Sequence, residues 1–305
     1  MGINMRYYIV SIASIFLSLA IGIFIGFNMN GNDIYVTQQQ ELINSLERRF
    51  DNFKAENDAL ENKIQNLSHL NEKQNILIEN IVEDVVYKKL QGMNVAIIET
   101  TDNYFYVDLK DILASSGANI PVTIQYLNKA FRINGEELRE INELFRLNLQ
   151  TTEDMIYFIN NEITNFLLKK EITAVFQYLI TKEYIHCNLP YENLEGIGID
   201  RIIVAGGSNE NLNNKIEKLE VNLIKRLDNL NFKVIGVERL DVENSFIANL
   251  KKIKIPTIDN VNTRIGQVSL IYVLLGAEGH YGEKATADSL IPFYSMQQVR
   301  GEFVE

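Results

Sequence analysis

Hydrophobic and polar positions divide the chain into an apolar run, a heptad repeat and a region of alternating short apolar segments. Residues 7–27 are apolar apart from three serines, and about 20 such residues are needed for a helix to cross a bilayer. Secretory signal peptides have a shorter apolar core of about 7–15 residues, which ends at small residues. Ser18 and Ala20 resemble such an end, but the apolar run continues to Phe27. We therefore interpret residues 7–27 as a transmembrane anchor, with a cleaved signal peptide as the alternative.

The basic residues that flank the anchor predict its orientation. Arg6 precedes the span, and the next basic residue after the span is Arg48. Because positively charged flanks stay in the cytoplasm, residues 1–6 are predicted to be cytoplasmic and the remainder extracytoplasmic, in a single-pass protein of the cell membrane. Gly22 and Gly26 have the spacing that lets two membrane helices approach closely. They form a candidate dimer face, and simple tolerance of glycine in a membrane helix is the alternative.

A repeat of seven residues extends over residues 34–90, which we call the stalk. The a positions are Val36, Ile43, Phe50, Asn57, Ile64, Asn71, Ile78 and Val85, and the d positions are Gln39, Leu46, Phe53, Leu60, Leu67, Gln74, Ile81 and Lys88. Neither glycine nor proline interrupts the repeat from Val36 to Lys88, which favours a coiled coil. Asparagine at an a position fixes the register of two parallel strands, so Asn57 and Asn71 predict a parallel homodimer. The alternative is a long helix that folds back on its own domain.

Residues 93–305 alternate short apolar runs with amphipathic segments. The predicted strands are 93–99, 120–126, 200–205, 232–238 and 255–258. The predicted helices are 108–114, a segment that Thr151 and Asp154 open with a capping box, 171–185, 211–230, 241–250 and 264–275. Alternating strands and helices predict an α/β domain, with a parallel sheet covered on both faces, as in Rossmann-like and flavodoxin-like folds.

Composition narrows the classes of partner. The formal net charge of −11 disfavours nucleic acid, because binding to phosphate backbones depends on clustered lysine and arginine. Cys187 is the only cysteine, so no disulfide can form within the chain.

Ligands of open α/β sheets bind beyond the carboxyl ends of the strands, so the residues that follow the predicted strands are candidates for a site. Gly206 and Gly207 follow the strand 200–205 and precede a predicted helix, a position where backbone amides can bind an anion. The chain lacks the G-x-G-x-x-G and Walker sequences. A tight turn between strand and helix is therefore the favoured alternative.

Two further polar groups follow the last predicted strand, and both are candidates for binding a ligand or a partner. The first group is Asp259, Asn260, Asn262 and Thr263, and the second is His280, Tyr281 and Lys284. The first group immediately precedes the predicted helix 264–275, so capping of that helix is the alternative. The second group lies in a glycine-rich loop, and such loops frequently bind or catalyse. No nucleophile stands at a recognisable spacing from His280, so we predict no catalytic residue.

His186 and Cys187 are adjacent in the sequence. They are candidate ligands of Cu(I), because this ion prefers sulfur ligands and also accepts imidazole. No Cys-x-x-Cys or Met-x-x-Met sequence accompanies them, so a structural role is the favoured alternative. Together with His280 they are the candidate copper ligands, and we expect no other cofactor.

Three motifs near the ends of the chain are specific enough to compare with known families. They are residues 6–12 running into Gly22 and Gly26, the sequence D-N-V-N-T-x-x-G at 259–266, and G-H-Y-G-x-K-x-T-A-D-x-L-I-P at 279–292. These motifs resemble the MctB-type copper transporter family, although Tyr8 stands where that family more often has histidine. The resemblance implies copper export or tolerance, and a role in envelope assembly or division beside a membrane partner.

Taken together, these features favour a non-enzymatic, single-pass envelope scaffold that dimerises through the stalk and binds an envelope protein. One apolar helix cannot line a pore, and no residue of 7–27 is a metal ligand, which argues against a channel. Two alternatives stay open. One is a component of copper efflux or tolerance with ligands His186, Cys187 and His280, and the other is an envelope hydrolase or nucleotide-dependent enzyme with Asp259, Asn260 and His280 at the sheet edge.

Overall fold

The computed structural model describes residues 5–188, 196–209 and 216–292, with backbone alone for 28–34 and 216–217. The chain divides into two compact units, Met1–Asn75 and Ile76–Glu305. Helix α1 extends over Met5–Val86, and its first part, Met5–Phe27, is long and apolar enough to span a membrane.

In the first unit the apolar a and d side chains of the stalk are exposed. Phe50, Leu60 and Ile64 are among them, each with more than half of its surface accessible. Exposed apolar residues in heptad register are what a coiled coil would cover. The coiled coil and the homodimer stay predictions, since the structure contains a single chain.

In the second unit the last turns of α1 belong to the core of the α/β domain. Val82 and Val86 are buried there, and Ile78 is partly buried beside them. The sequence predicts that this helix ends at Gly92, but the helix ends at Val86. Lys88 has a left-handed φ of 54° and Gly92 a φ of 83°, so the chain turns twice before it enters the sheet.

The described residues of the second unit form seven strands and seven further α-helices. The strands are β1 Val95–Glu99, β2 Thr123–Tyr126, β3 Ile185–Asn188, β4 Arg201–Ala205, β5 Val234–Val237, β6 Thr257–Ile258 and β7 His280–Tyr281. The helices are α2 Val107–Ser115, α3 Gly135–Phe145, α4 Thr152–Lys169, α5 Ala174–Thr181, α6 Asn222–Asn229, α7 Ile247–Lys252 and α8 Arg264–Leu274. A short 3₁₀ helix spans Asn128–Phe131, and a π-helical stretch, Ile216–Val221, leads into α6.

The strands form one sheet in the order β3-β2-β1-β4-β5-β6-β7. Every neighbouring pair is parallel except β2 and β3. The predicted α/β class is therefore confirmed, and the order reverses direction between β1 and β4, as in Rossmann-like sheets. That reversal point is where open α/β sheets bind their ligands.

Alternating side chains of the strands feed two cores, one on each face of the sheet. On β1, Ala96 and Ile98 face a core completed by α4 and α6. Val95 and Ile97 face a second core, completed by α2, α8 and the end of α1. All of these strand residues are fully buried. Because both faces of β1 are covered, its sequence is a continuous apolar run.

Four predicted elements of the domain differ from the structure. The predicted helix 241–250 is an irregular connection up to Phe246, and the helix there is α7, Ile247–Lys252. The predicted helix 171–185 ends at Thr181, and the chain then forms β3, an antiparallel edge strand. The loop that contains His280 forms β7, a strand of only two residues. Of the predicted helix 211–230, residues 211–215 lie outside the described residues, and the regular α-helix covers only Asn222–Asn229. Residues 293–305 of the predicted domain also lie outside the described residues.

Candidate functional site

Buried carboxylates gather at the carboxyl ends of the parallel strands. Glu99 ends β1, Glu238 follows β5, and Asp259 follows β6, while Glu220 reaches this edge from the stretch before α6. All four residues are at least 95% buried. A buried carboxylate is stable only when it is paired or hydrogen-bonded. The partners of each carboxylate therefore show whether it is free to bind a ligand.

Glu220 occupies the position at the Gly206–Gly207 turn that a bound anion would take. Its Oε1 accepts the backbone N–H of Gly207 at 3.2 Å and the hydroxyl of Thr100 at 2.6 Å. The sequence raises this turn as a possible anion site because its amides are free in the absence of a ligand. The Gly207 amide already binds a carboxylate of the same chain.

The crevice beside this turn is filled by side chains of the segment between β5 and α7. A β-carbon on Gly206 would lie 2.9 Å from the ring of Phe246, and one on Gly207 would lie 2.6 Å from Val242. The loop after β4 is also tied to that segment, because Ser208 and Asn244 exchange two backbone hydrogen bonds. We call Val242 and Phe246 the plug, since together they fill the place at the β1–β4 reversal where related sheets hold ligands.

The buried carboxylate of Glu238 and the partly buried ammonium of Lys284 form an ion pair that joins β5 to the loop after β7. The Lys284 ammonium lies 2.6 Å from Glu238 Oε1 and also donates to the carbonyl of Arg239. Ser245 and the Phe246 amide donate to the two oxygens of the Glu238 carboxylate. Burial raises the pKa of Glu238 above its ordinary value, while Lys284 opposes that rise. The pair therefore holds the plug segment and the last loop together.

Tyr106 is hydrogen-bonded to the glycine turn. Its hydroxyl donates to the carbonyl of Gly206 at 2.5 Å. Burial raises the pKa of Tyr106 well above its ordinary value, and the charges of Glu238 and Glu220 raise it further. The phenol is thus a fixed hydrogen-bond donor in the crevice.

Asp259 brings the two polar groups near the end of the chain together. Its carboxylate accepts the backbone N–H groups of Glu283 at 2.8 Å and Lys284 at 3.1 Å. Asn260 donates to Glu283 at 3.0 Å. A β-carbon on Gly282 would lie 1.8 Å from Asp259 Oδ1, so only glycine fits there. The described contacts of Asp259 are thus within the chain, as a clamp on the loop after β7.

Asn262 and Thr263 also have structural partners. Thr263 is the N-cap of α8, where its hydroxyl accepts the Gly266 amide at 3.1 Å. Asn262 accepts the amide of Leu240 at 2.7 Å. Helix capping, the alternative that the sequence offers for this group, accounts for Thr263.

His280 and Tyr281 lie on β7, and hydrogen bonds within the chain already occupy part of their binding capacity. His280 Nδ1 is 2.9 Å from the hydroxyl of Thr257, and burial lowers the pKa of its imidazole. His280 lines a cavity of about 520 Å³ together with Arg201, Lys254 and other residues at the amino ends of the strands. The Tyr281 hydroxyl donates to the carbonyl of Glu278 at 2.6 Å.

His186 and Cys187 lie on β3, at the opposite end of the sheet from His280. Six strand spacings of about 4.8 Å separate the two ends, roughly 29 Å in all. Successive strand residues point to opposite faces, and Cys187 packs against the first core while His186 is exposed. Burial raises the pKa of the Cys187 thiol to about 12. The three candidate copper ligands therefore do not converge within one chain.

The remaining candidates lie in α1. Gly22 and Gly26 are exposed, and a β-carbon on either would meet no atom within 4 Å. Among the described residues there is no group of three or more histidine, cysteine, aspartate or glutamate side chains placed to hold a metal ion.

Sequence reasoning overlooked Glu220, Tyr106 and the plug. Glu99 and Glu238 carry a visible signal, because a carboxylate directly after a buried strand points to the ligand-binding edge. Glu220 stands among charged residues of an amphipathic segment, and a charged residue in such a segment is ordinarily expected to be exposed to solvent. Phe246 looks like any core aromatic until the sheet order is known.

Comparison with protein-family models gives a match over residues 2–292 to the family described as "Copper transport outer membrane protein, MctB". The match includes α1, the whole sheet and the loop that contains Lys284. No curated protein matches the chain.

Proposed function

The chain belongs to the MctB family of copper transport outer membrane proteins, and from this premise we propose that it is a membrane-anchored, non-enzymatic scaffold. Family membership and the apolar helix Met5–Phe27 support a membrane-associated protein related to copper transport. In our proposal Met5–Phe27 is a single-pass anchor with a cytoplasmic N-terminus. The stalk forms a parallel homodimer, and the extracytoplasmic α/β domain binds another envelope protein.

The observation that carries this proposal is the filled crevice at the β1–β4 reversal. Phe246 and Val242 occupy its space, and Glu220 takes the amide of Gly207. A catalytic edge needs room for a substrate and polar groups that are free to contact it. Most of the buried polar groups here bond to one another, and Glu220 Oε2 and Asn260 Oδ1 are exceptions at this edge among the described residues. This arrangement suits a rigid domain that presents its surface to a partner.

Cysteine cross-linking tests the dimer. In a Cys187→Ser background, Leu60→Cys at a d position is expected to form an interchain disulfide under mild oxidation, because d residues of a parallel coiled coil face each other. Non-reducing electrophoresis of the full chain in membranes would show a band of twice the monomer mass.

Asp58→Cys is the matched control, since position 58 is two residues away and points outwards in the same heptad register. It is expected to remain monomeric. Equal cross-linking of both variants, or of neither, would contradict the proposed stalk dimer.

The family description supports a second proposal, that the chain takes part in copper efflux or tolerance. The copper ion would be cargo, and His186, Cys187 and His280 are its candidate ligands in the α/β domain. Because His280 is roughly 29 Å from the other two, one chain offers no convergent site, so any tight site would need a partner or a second copy.

We therefore expect a competition titration with Cu(I) to show no binding to the full chain beyond that of its buffer ligands. The double variant His186→Ala, Cys187→Ala should behave as the wild type does. Stoichiometric binding that the double variant loses would overturn this expectation and make copper handling the leading function.

A further inference from the structure

A groove of about 460 Å³ lies in the second unit, between the last turns of α1 and helices α2 and α8. Its floor is apolar, formed by Val82, Val86 and Ile112, which are each at least 95% buried. Ser115 at the end of α2 lines one wall. The residues that line this groove differ in kind from those of the carboxyl-end crevice, because none of them is a buried carboxylate.

The walls of the groove are acidic. Glu83, Asp108 and Asp111 line it, are exposed, and form no ion pair with any other described residue. The single cation of the lining, Arg264, is already 4.0 Å from Glu79 and donates to Gln267. Asp108 is also close enough to Arg239 for its charge to raise the pKa of that guanidinium. The lining still has three carboxylates against one guanidinium, so the groove presents an excess of negative charge around an apolar floor.

Exposed apolar side chains border the same surface. Tyr87, at the end of the α1 wall, is 61% exposed. Val107 directly precedes Asp108 in the sequence, and Phe105 is two residues earlier than Val107. Both lie outside the groove lining itself, and they are 59% and 75% exposed, respectively. Large apolar side chains beside a groove are typical of protein interfaces, where they act as anchors.

We propose that this groove binds an amphipathic helix of another protein, one that carries lysine or arginine beside its apolar face. Helices dock into grooves of this kind with apolar residues on the floor and flanking charges on the walls. This inference rests on the proposed partner-binding function and names its surface. Charge complementarity decides the occupant, because opposite charges across an interface favour one partner and exclude others.

A second copy of the stalk fits the groove poorly. From Glu72 to Asp84, α1 carries four acidic residues and one lysine, so its approach would bring like charges together. A helix that carries lysine or arginine would instead be attracted to the acidic walls of the groove.

The test uses the full chain in zwitterionic nanodiscs, with binding to empty nanodiscs subtracted. The probe is a fluorescent 18-residue helical peptide with leucine on one face and lysine on its flanks, compared with its glutamate counterpart by fluorescence anisotropy. We expect the lysine peptide to bind and the glutamate peptide not to bind. In Asp108→Asn, Asp111→Asn, the Kd should rise about tenfold, since two charge pairs are lost.

Two matched controls distinguish binding in the groove from a nonspecific attraction of the lysine peptide to an acidic protein. Glu143→Gln, Glu171→Gln removes the same charge from exposed positions outside the groove, and its Kd should change less than about twofold. Ser115→Trp fills the groove without changing charge and should weaken binding, while Ala114→Trp, exposed on the same helix but outside the groove, should not.

The Leu60→Cys cross-link, measured on the same variants, keeps the two proposals apart. Loss of peptide binding in the groove variants with the cross-link retained supports the groove. Equal binding of all variants, absence of binding to the wild type, or loss of the stalk cross-link in Ser115→Trp would each overturn the groove proposal. The last result would assign the groove to a second copy.

Discussion

Replacing Gly282 by alanine is expected to lower the free energy of unfolding by about 3–5 kcal/mol, through overpacking combined with backbone strain. The new β-carbon would lie 1.8 Å from Asp259 Oδ1, and Gly282 has a φ of 141°. Asp259 cannot move away cheaply, because its two oxygens hold the amides of Glu283 and Lys284. Urea unfolding of the full chain in nonionic detergent, followed by tyrosine fluorescence, would measure the loss; the chain has no tryptophan.

Gly276→Ala is the matched control for this substitution. Gly276 also has a left-handed φ, 115°, but a β-carbon there would meet nothing within 4 Å. Only the conformational cost should appear, about 1 kcal/mol. If the two variants lost equal stability, the clamp formed by Asp259 would not be the cause.

Lys284→Met is the second substitution with a large expected effect. It leaves Glu238 buried without its cation, and breaking a buried pair in this way costs about 3–5 kcal/mol. Burial already raises the pKa of Glu238, and Lys284 is the main opposing cause, so the substitution raises that pKa further. The same unfolding measurement at pH 7 would show the loss.

The pH dependence of this variant has a definite sign. A carboxyl whose pKa is raised by folding contributes stability below its unfolded pKa, and this contribution is lost as the pH rises through the folded pKa. The deficit of Lys284→Met relative to the wild type should therefore be smaller at pH 5 than at pH 7. Adding Glu238→Gln should restore much of the stability at pH 7, and a deficit that is independent of pH would contradict this account.

Much of the fold follows from local patterns in the sequence. Strands β1 and β4 are continuous apolar runs that only a doubly covered sheet can bury, and the structure confirms both. Thr151 and Asp154 form the predicted capping box of α4. These features depend on residues within a few positions of one another, so one sequence suffices to predict them.

Strands β3 and β7 could not be predicted in the same way. β3 has four residues and β7 has two, too few for a period to show. They are strands because Ile124 and Thr257 stand opposite Cys187 and His280 in the sheet. Their assignment depends on partners far away in the sequence.

The candidate site shows the same division. Sequence reasoning identifies Asp259 and Lys284 as binding candidates in two separate loops and leaves open whether these loops meet. The structure joins them through the Lys284 amide. Whether those groups are free to bind a ligand depends on Glu220 and Phe246. Their positions follow from tertiary packing, which no spacing in the sequence encodes.

The plug makes the volume of the crevice independent of the sheet. Val242 and Phe246 stand on a connecting segment outside the strands, so a smaller residue at either position would hollow the crevice and leave the sheet itself unchanged. Large-to-small substitutions open cavities that the surroundings only partly refill. Such a cavity would lie beside the Glu220 carboxylate, which accepts the Gly207 amide. The volume of this crevice is therefore set by two side chains of a connecting segment and not by the strands.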